Sequence, residues 1–288
     1  MTVARLGYRF YKRKAVNALM LVLSAFSAVF GLFWLFWILK ELFHRGAAAL
    51  NWDFFTQLPT PPGMAGGGLA NAIVGTLIIT ALATAIGVPV GVMAGTYLAE
   101  YGRQSLLGKV VRFVSDVMTS APSIVIGVFV YAVLVRPMKQ FSGLAGGVAL
   151  AIIMIPVVTR TAEEMLRLVP NSLREAALAL GAPYWRVVVS VCYRRVFGGM
   201  MTGILLAIAR VSGETAPLLF TALNNSYWNL GLTKPMGTLN VTIFNYAMSP
   251  YDDWRAKAWG AALLIATGVL FTTVLARVVV AKTQKGRT

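Results

Sequence analysis

The sequence predicts an all-α integral membrane protein of six transmembrane helices with both termini on the cytoplasmic side. Three observations lead there. Of 288 residues, 58% are hydrophobic and only 12% are charged, against roughly 25% charged in an average soluble domain, and the mean hydropathy is +0.71. Six stretches are apolar over about the 20 residues a helix needs to cross the hydrocarbon core. The 26 Lys and Arg residues fall unevenly on alternate loops, as in an oriented membrane chain. The net charge of +16 alone would fit a polyanion binder, but nucleic-acid-binding proteins are basic without being this apolar. The same hydrophobicity excludes a disordered chain.

The elements follow in order. A basic cytoplasmic N-terminus, 1–17, carries Arg5, Arg9, Lys12, Arg13 and Lys14. The first span, 18–39, exceeds the roughly 7–15 apolar residues of a signal-peptide core and is read as retained, with Trp34 and Trp37 near its outer interface. An outer loop, 40–70, holds Pro59, Pro61, Pro62, Gly66, Gly67 and Gly68, a turn-forming composition. The second span, 71–98, places Gly87, Gly91 and Gly95 on one smooth face, suited to close helix packing either within the subunit or against another. Pro89 predicts a kink in it. Spans at 113–135, 144–162, 197–223 and 258–281 complete a membrane domain, 71–281, before a cytoplasmic tail, 282–288. The long outer segment between the last two spans predicts a short helix around 241–248. Inner segments hold 18 basic residues and outer ones seven, with Arg210 inside the fifth span. That bias sets the orientation.

Enzymatic chemistry finds little support. One cysteine, Cys192, permits neither an internal disulfide nor a thiolate metal cluster, and His44 is the single imidazole. The run from Gly102 to Lys109 comes near a phosphate loop, but its glycine spacing is one residue too long and Val110 replaces the hydroxyl. Neither H-E-x-x-H nor G-x-S-x-G occurs. The chain is expected to be no enzyme, with no metal or cofactor of its own.

The inner segment 165–195 is the most informative. Pro170 discourages continuation of the fourth helix. Ser172 with Glu175 forms a capping-box signature, Gly181 offers a helix stop, and Pro183 suits the first position of a second helix. A helix–glycine–helix elbow is therefore expected to project into the cytoplasm. Glu175, Ala176 and Ala177, followed after three residues by Gly181, resemble the EAA loop of ABC-importer permeases. In that family the loop couples the permease to its partner ATPase. The family's closing Leu–Pro is absent, since Val191, Cys192, Tyr193 and Arg194 stand there, so the second limb is expected to run on into the fifth span.

The run GILLAIARVSGETAPLLFTA, 203–222, resembles the PstA-type permeases of phosphate-specific ABC importers, as do GGGLANAIVGT (66–76), APSIVIGVFVY (121–131) and VTIFNYAMSP (241–250). The resemblance implies a type I importer permease (MetI-like) fold, multi-pass in the cytoplasmic (inner) membrane and surrounded by lipid. It implies inorganic phosphate as substrate and a PstC-like sister permease as partner. Two PstB-like ATPases, binding ATP and Mg, and a PstS-like external phosphate-binding protein would complete the complex. Nucleic acid has no place in it. An importer of another oxyanion, such as sulfate or molybdate, and an ATP-independent channel or scaffold are the alternatives.

Charges inside the membrane point to a pathway without reference to family. A charge at the bilayer centre costs about 2.5–3.5 kcal/mol on insertion scales, so such groups face protein or water. Arg210 and Glu214 lie four apart in the apolar fifth span, which would put them on one helix face. Either the two neutralise each other, or Arg210 offers its guanidinium fork to an oxyanion while Glu214 holds and releases it. Ser212 and Thr215 flank them with hydroxyls, and Pro217 would free backbone groups nearby. Arg160, with Glu163 or Glu164, is expected either as an anion gate at the inner end of the fourth span or as an interfacial anchor. Asp116 is placed to pair with a basic residue across the helices.

Overall fold

The structure, a computed structural model, describes residues 2–285, which are helical without any strand. α1 (Thr2–Ala47) is longer than the predicted first span at both ends. It packs on the rest through α13 (Asp252–Lys285), where Gly46 sits against Trp259 and Leu263. Its apolar face is otherwise exposed. The Pro/Gly-rich loop is more ordered than its composition implies. It contains α2 (Trp52–Thr56), capped by the Asn51 side chain, and anchors on the buried Phe54. Lys257 pins it by donating to Thr60 Oγ1 and the Gly66 carbonyl.

α3 (Ala70–Thr96) runs unbroken through Pro89 into a π-helical turn, Tyr97–Tyr101. The predicted third span, 113–135, is instead two helices. α4 (Leu106–Ser120) and α5 (Ser123–Val130) belong to two segments meeting at 105°. Pro122 is the reason: it lacks an N–H and disfavours helical backbone at the residue before it, and Ala121 and Pro122 both adopt extended conformation. A second π turn, Tyr131–Val135, and the single turn α6 (Arg136–Met138) continue α5.

α7 (Gly143–Arg167) is the axis of the bundle, and 67% of its apolar stretch is buried. Ser142 caps it by accepting from the Ala145 N–H. The glycine face of α3 packs here, within the subunit. A Cβ on Gly87 would meet Met154, on Gly91 Val158, and on Gly95 the Thr159 carbonyl.

The elbow follows as α8 (Asn171–Ala179) and α9 (Tyr184–Val187). A π turn, Val188–Cys192, then leads directly into α10 (Tyr193–Ser212). Tyr184–Ser212 is thus one long element, as the missing Leu–Pro implied. The predicted fifth span, 197–223, breaks at Gly213 and resumes as α11 (Ala216–Thr221). α12 (Leu239–Ala247) matches the expected short helix, capped by Thr238. Among the described residues, five helices are long and apolar enough to cross a membrane, and the bent α4–α5 pair brings the number to six if it is counted as one span. The tail is helical to Lys285, and its last residues, 286–288, lie outside the described chain.

Candidate functional site

The two helix breaks meet. α5 packs on α11, and Gly127 permits it: a Cβ there would come within 2.6 Å of the Pro217 Cα. Pro217 lies in the first turn of α11, where its missing N–H would have no helical partner in any case. The Asn240 side chain, nearly buried on α12, donates to the carbonyls of Ser212 (2.8 Å) and Glu214 (2.9 Å). These carbonyls lost their helical acceptor role at the break. Asn240 therefore satisfies them and holds the break open.

Between the breaks lies a cavity of about 250 Å³ lined by Thr119, Pro122, Ser123, Ile153, Arg210 and Glu214, among others. Sequence spacing predicted an Arg210–Glu214 pair on one helix face. The structure corrects this. The helix ends at Ser212, so Glu214 no longer follows the 3.6-residue repeat that would stack it over Arg210. Among the described residues, neither side chain holds a hydrogen bond or ion pair. Arg210 and Glu214 line the same cavity without closing on each other. Ser212 does not join them: its hydroxyl bonds back to the Ala209 carbonyl and lines a separate apolar pocket between α3, α10 and α13. Thr215 begins α11 with its carbonyl accepting from Leu218 and Leu219. Thr119 and Ser123 are the hydroxyl residues that line the cavity, the Thr119 hydroxyl donating to the Ser115 carbonyl at 2.8 Å.

A second cavity, about 160 Å³, continues along the α4–α7 groove and shares Thr119 with the first. Arg112, Asp116, Arg160, Glu163, Glu164 and Arg167 line it. Arg160 Nη1 binds Asp116 at 2.9 Å across the groove and its Nε binds Glu164 at 3.3 Å. Glu163 accepts from Arg112 Nε at 2.8 Å and Arg167 Nη2 at 2.6 Å. The sequence expected Arg160 to engage Glu163 or Glu164, and the structure selects Glu164. Asp116 pairs across helices as expected. Glu163 is almost buried whereas Arg160 is 62% exposed, so only the Arg112–Glu163 contact is shielded enough to matter much energetically. Three arginines and three carboxylates balance. Thr159 adds a buried hydroxyl with no partner.

At the elbow, Pro170 rather than Ser172 is the helix cap. The capping box does not form, because Pro170 already sets the entry and Leu173 bonds to its carbonyl. Pro183 likewise stands one position before the second limb, not in it. Gly181 takes φ +79°, with Gly181 N–H on Leu178 and Ala182 N–H on Ala177, the paired bonds of a Schellman stop. Glu175, Ala176 and Gly181 are exposed, Ala177 packs inward, and Leu180 is 89% exposed at the tip.

Sequence reasoning missed Asn240, Thr119, Arg112, Glu100 and Arg174. Asn240 carried a signal, an amide in an apolar run. The others read as loop charges or ordinary helix residues until the fold placed them.

Residues 87–285 match the profile of the family described as "Binding-protein-dependent transport system inner membrane component". The chain is 53% identical over 270 residues to "Phosphate transport system permease protein PstA" of Yersinia pestis, covering 94% of this chain and 92% of that protein. The protein of that description from Haemophilus influenzae (strain ATCC 51907 / DSM 11121 / KW20 / Rd) is 52% identical over 269 residues, 93% and 95% of the two chains. Among solved structures, the MetNI methionine ABC transporter in an inward-facing conformation matches with TM-score 0.59 at 19% identity, over 75% of this chain and 94% of that one. A bacterial alginate ABC transporter, solved with an alginate-bound periplasmic protein, matches with TM-score 0.61 at 13% identity, over 96% and 95%. At such identities these two likenesses establish the fold.

Proposed function

The chain belongs to the binding-protein-dependent transport permeases and, within them, to the PstA-type phosphate permeases, and we propose that it forms half of the pore of an ATP-driven phosphate importer. The observation that carries the mechanism is that Arg210 and Glu214 line one cavity between two broken helices without pairing. A planar fork of N–H donors fits a tetrahedral oxyanion. A nearby carboxylate keeps the well shallow, and an ion held too tightly would not leave. Phosphate enters this cavity, passes Thr119, and reaches the groove where Arg160 is already shared between Asp116 and Glu164. There the anion displaces a carboxylate and leaves as the pair re-forms.

In this reading the N-terminus and tail face the cytoplasm, as the basic residues favour. A sister permease supplies the other wall of the pore. Two ATPase subunits, which bind ATP and Mg, grip the elbow at Glu175–Gly181, and an external phosphate-binding protein delivers the substrate. The apolar face of α1 is left for lipid and the sister subunit.

The test is ATP-dependent uptake of radioactive phosphate by the four-component complex in liposomes. Arg210→Gln should abolish most uptake, while Arg210→Lys keeps part of it. Uptake unaffected by Arg210→Gln would remove this residue from the pathway. Sulfate or molybdate competing as well as unlabelled phosphate would reassign the substrate.

A further inference from the structure

The elbow is fastened by one buried side chain. Arg174 on α8 is 8% exposed and Glu100, on the π turn that ends α3, is 1% exposed. Arg174 Nη2 donates to Glu100 Oε1 at 2.6 Å and Nε donates to Oε2 at 3.1 Å, a bidentate pair. Its remaining N–H groups reach the Leu166 carbonyl (2.9 Å), the Val169 carbonyl (2.5 Å) and Asn171 Oδ1 (3.4 Å). All five guanidinium donors are thereby used. Leu166 lies in the last turn of α7 and Val169 just past it; the arginine shares the Leu166 carbonyl with the Val169 N–H and so helps to cap the end of that helix. Tyr184, opening the second limb, donates its hydroxyl to Glu100 Oε2 at 2.8 Å. The hydrogen bond to Glu100 raises the Arg174 pKa above its ordinary value, against the opposing effect of burial. Among the described residues, Arg174 makes the side-chain hydrogen bonds that α8 sends to the π turn after α3 and to α7.

We propose that Glu100 and Arg174 are positioning residues that join the elbow and the α3–α7 pair into one rigid body, delivering a push on the elbow to the arginine-lined groove. Beyond the clamp the path is stiff. α3 meets α7 backbone to backbone through Gly91 and Gly95. Arg112, which donates to both the Leu98 carbonyl and Glu163, ties α4 to the same pair. Packed elements of this kind transmit displacement because they cannot deform continuously. The inference rests on the reading of the elbow as the ATPase contact.

The assembled complex in liposomes tests it with Glu100→Gln, Arg174→Lys and the charge-swapped double variant Glu100→Arg with Arg174→Glu. Three quantities are read: ATPase co-purification, phosphate taken up per ATP hydrolysed, and the spin-label distance between cysteines introduced at the exposed Ser172 and Met93. Native Cys192 is buried and does not compete for label. The single variants should retain the ATPase and hydrolyse ATP while phosphate per ATP falls roughly 3- to 30-fold, the span of known coupling effects. The distance distribution should broaden, and the swap should restore part of both. If Glu100→Gln does not accumulate, Tyr184→Phe, which removes one bond to Glu100, should give a smaller change of the same kind. An unchanged ratio of phosphate to ATP, with a distribution as narrow as in the unmodified complex, overturns the strut. Should Leu180→Glu leave ATPase capture intact, the elbow reading itself fails, whatever the strut variants do.

Discussion

Replacing the α3 glycines one at a time by alanine should produce a graded loss of stability, steepest at Gly95. A Cβ on Gly95 would stand 2.5 Å from the Thr159 carbonyl oxygen and 3.0 Å from the Glu163 nitrogen. Both are backbone atoms of α7 and cannot rotate away. The first distance falls about 0.9 Å short of the 3.4 Å at which ordinary contact begins, so the two helices must separate. Overpacking of this kind costs about 1–3 kcal/mol, and alanine's better helix propensity returns at most about 1 kcal/mol. At Gly91 the Cβ of Val158 lies at 2.7 Å and the Ile155 carbonyl at 3.0 Å, an intermediate case. At Gly87 the contacts begin at 3.1 Å with the Cβ and Sδ of Met154 and at 3.3 Å with the Ala151 carbonyl, only a few tenths of an ångström tight, so the substitution should cost the least of the three. Thermal unfolding of the detergent-solubilised complex should rank Gly95 below Gly91 and Gly91 below Gly87, with the first lowered by roughly 3–10 °C. Since the Gly95 contact is at Thr159 and Glu163, phosphate uptake should fall in the same order. A Gly95→Ala variant as stable as the parent, or a Gly87→Ala variant equally damaged, would refute this packing.

Asn240→Ala removes two hydrogen bonds from the carbonyls at the α10 break and should destabilise by about 1–3 kcal/mol. Asn240→Asp, which cannot donate, should lower phosphate uptake as strongly, measured in liposomes beside unfolding midpoints. Gly127→Val should drive α5 off Pro217 and deform the Arg210 cavity, losing uptake while the ATPase still co-purifies. Gly181 has open space around it but φ +79°, so Gly181→Ala should cost only about 1 kcal/mol of backbone strain. Gly181→Val should do more harm, read as faster proteolysis at the elbow and weaker ATPase capture. Asp116→Asn frees Arg160 from one of two exposed partners and should change stability by less than about 1 kcal/mol. The same variant should alter phosphate release, seen as a changed apparent affinity on the trans side.

Periodicity and composition were enough to place the apolar helices, the short helix ending at Ala247 and the glycine stop at Gly181, because each depends on residues adjacent in the chain. They also marked Gly87, Gly91 and Gly95 as a packing face and Arg210 and Glu214 as charges in costly surroundings. The partner of that face was open until α7 supplied it. Pro122 and Gly213 were visible too, yet neither announced a break of this depth: in an isolated helix a proline bends and a glycine is tolerated. Whether a span snaps depends on what receives the freed backbone groups, and at Gly213 the receiver is Asn240, distant in sequence. The same holds for Arg174, whose charge read as one of many basic loop residues until Glu100, Leu166 and Val169 closed around it. What the chain determined alone is that it crosses a membrane in helices and carries charge where charge is expensive. Only the tertiary structure decided that two breaks face each other, because hydrogen-bond satisfaction and close backbone approach are properties of pairs brought together from separate parts of the sequence.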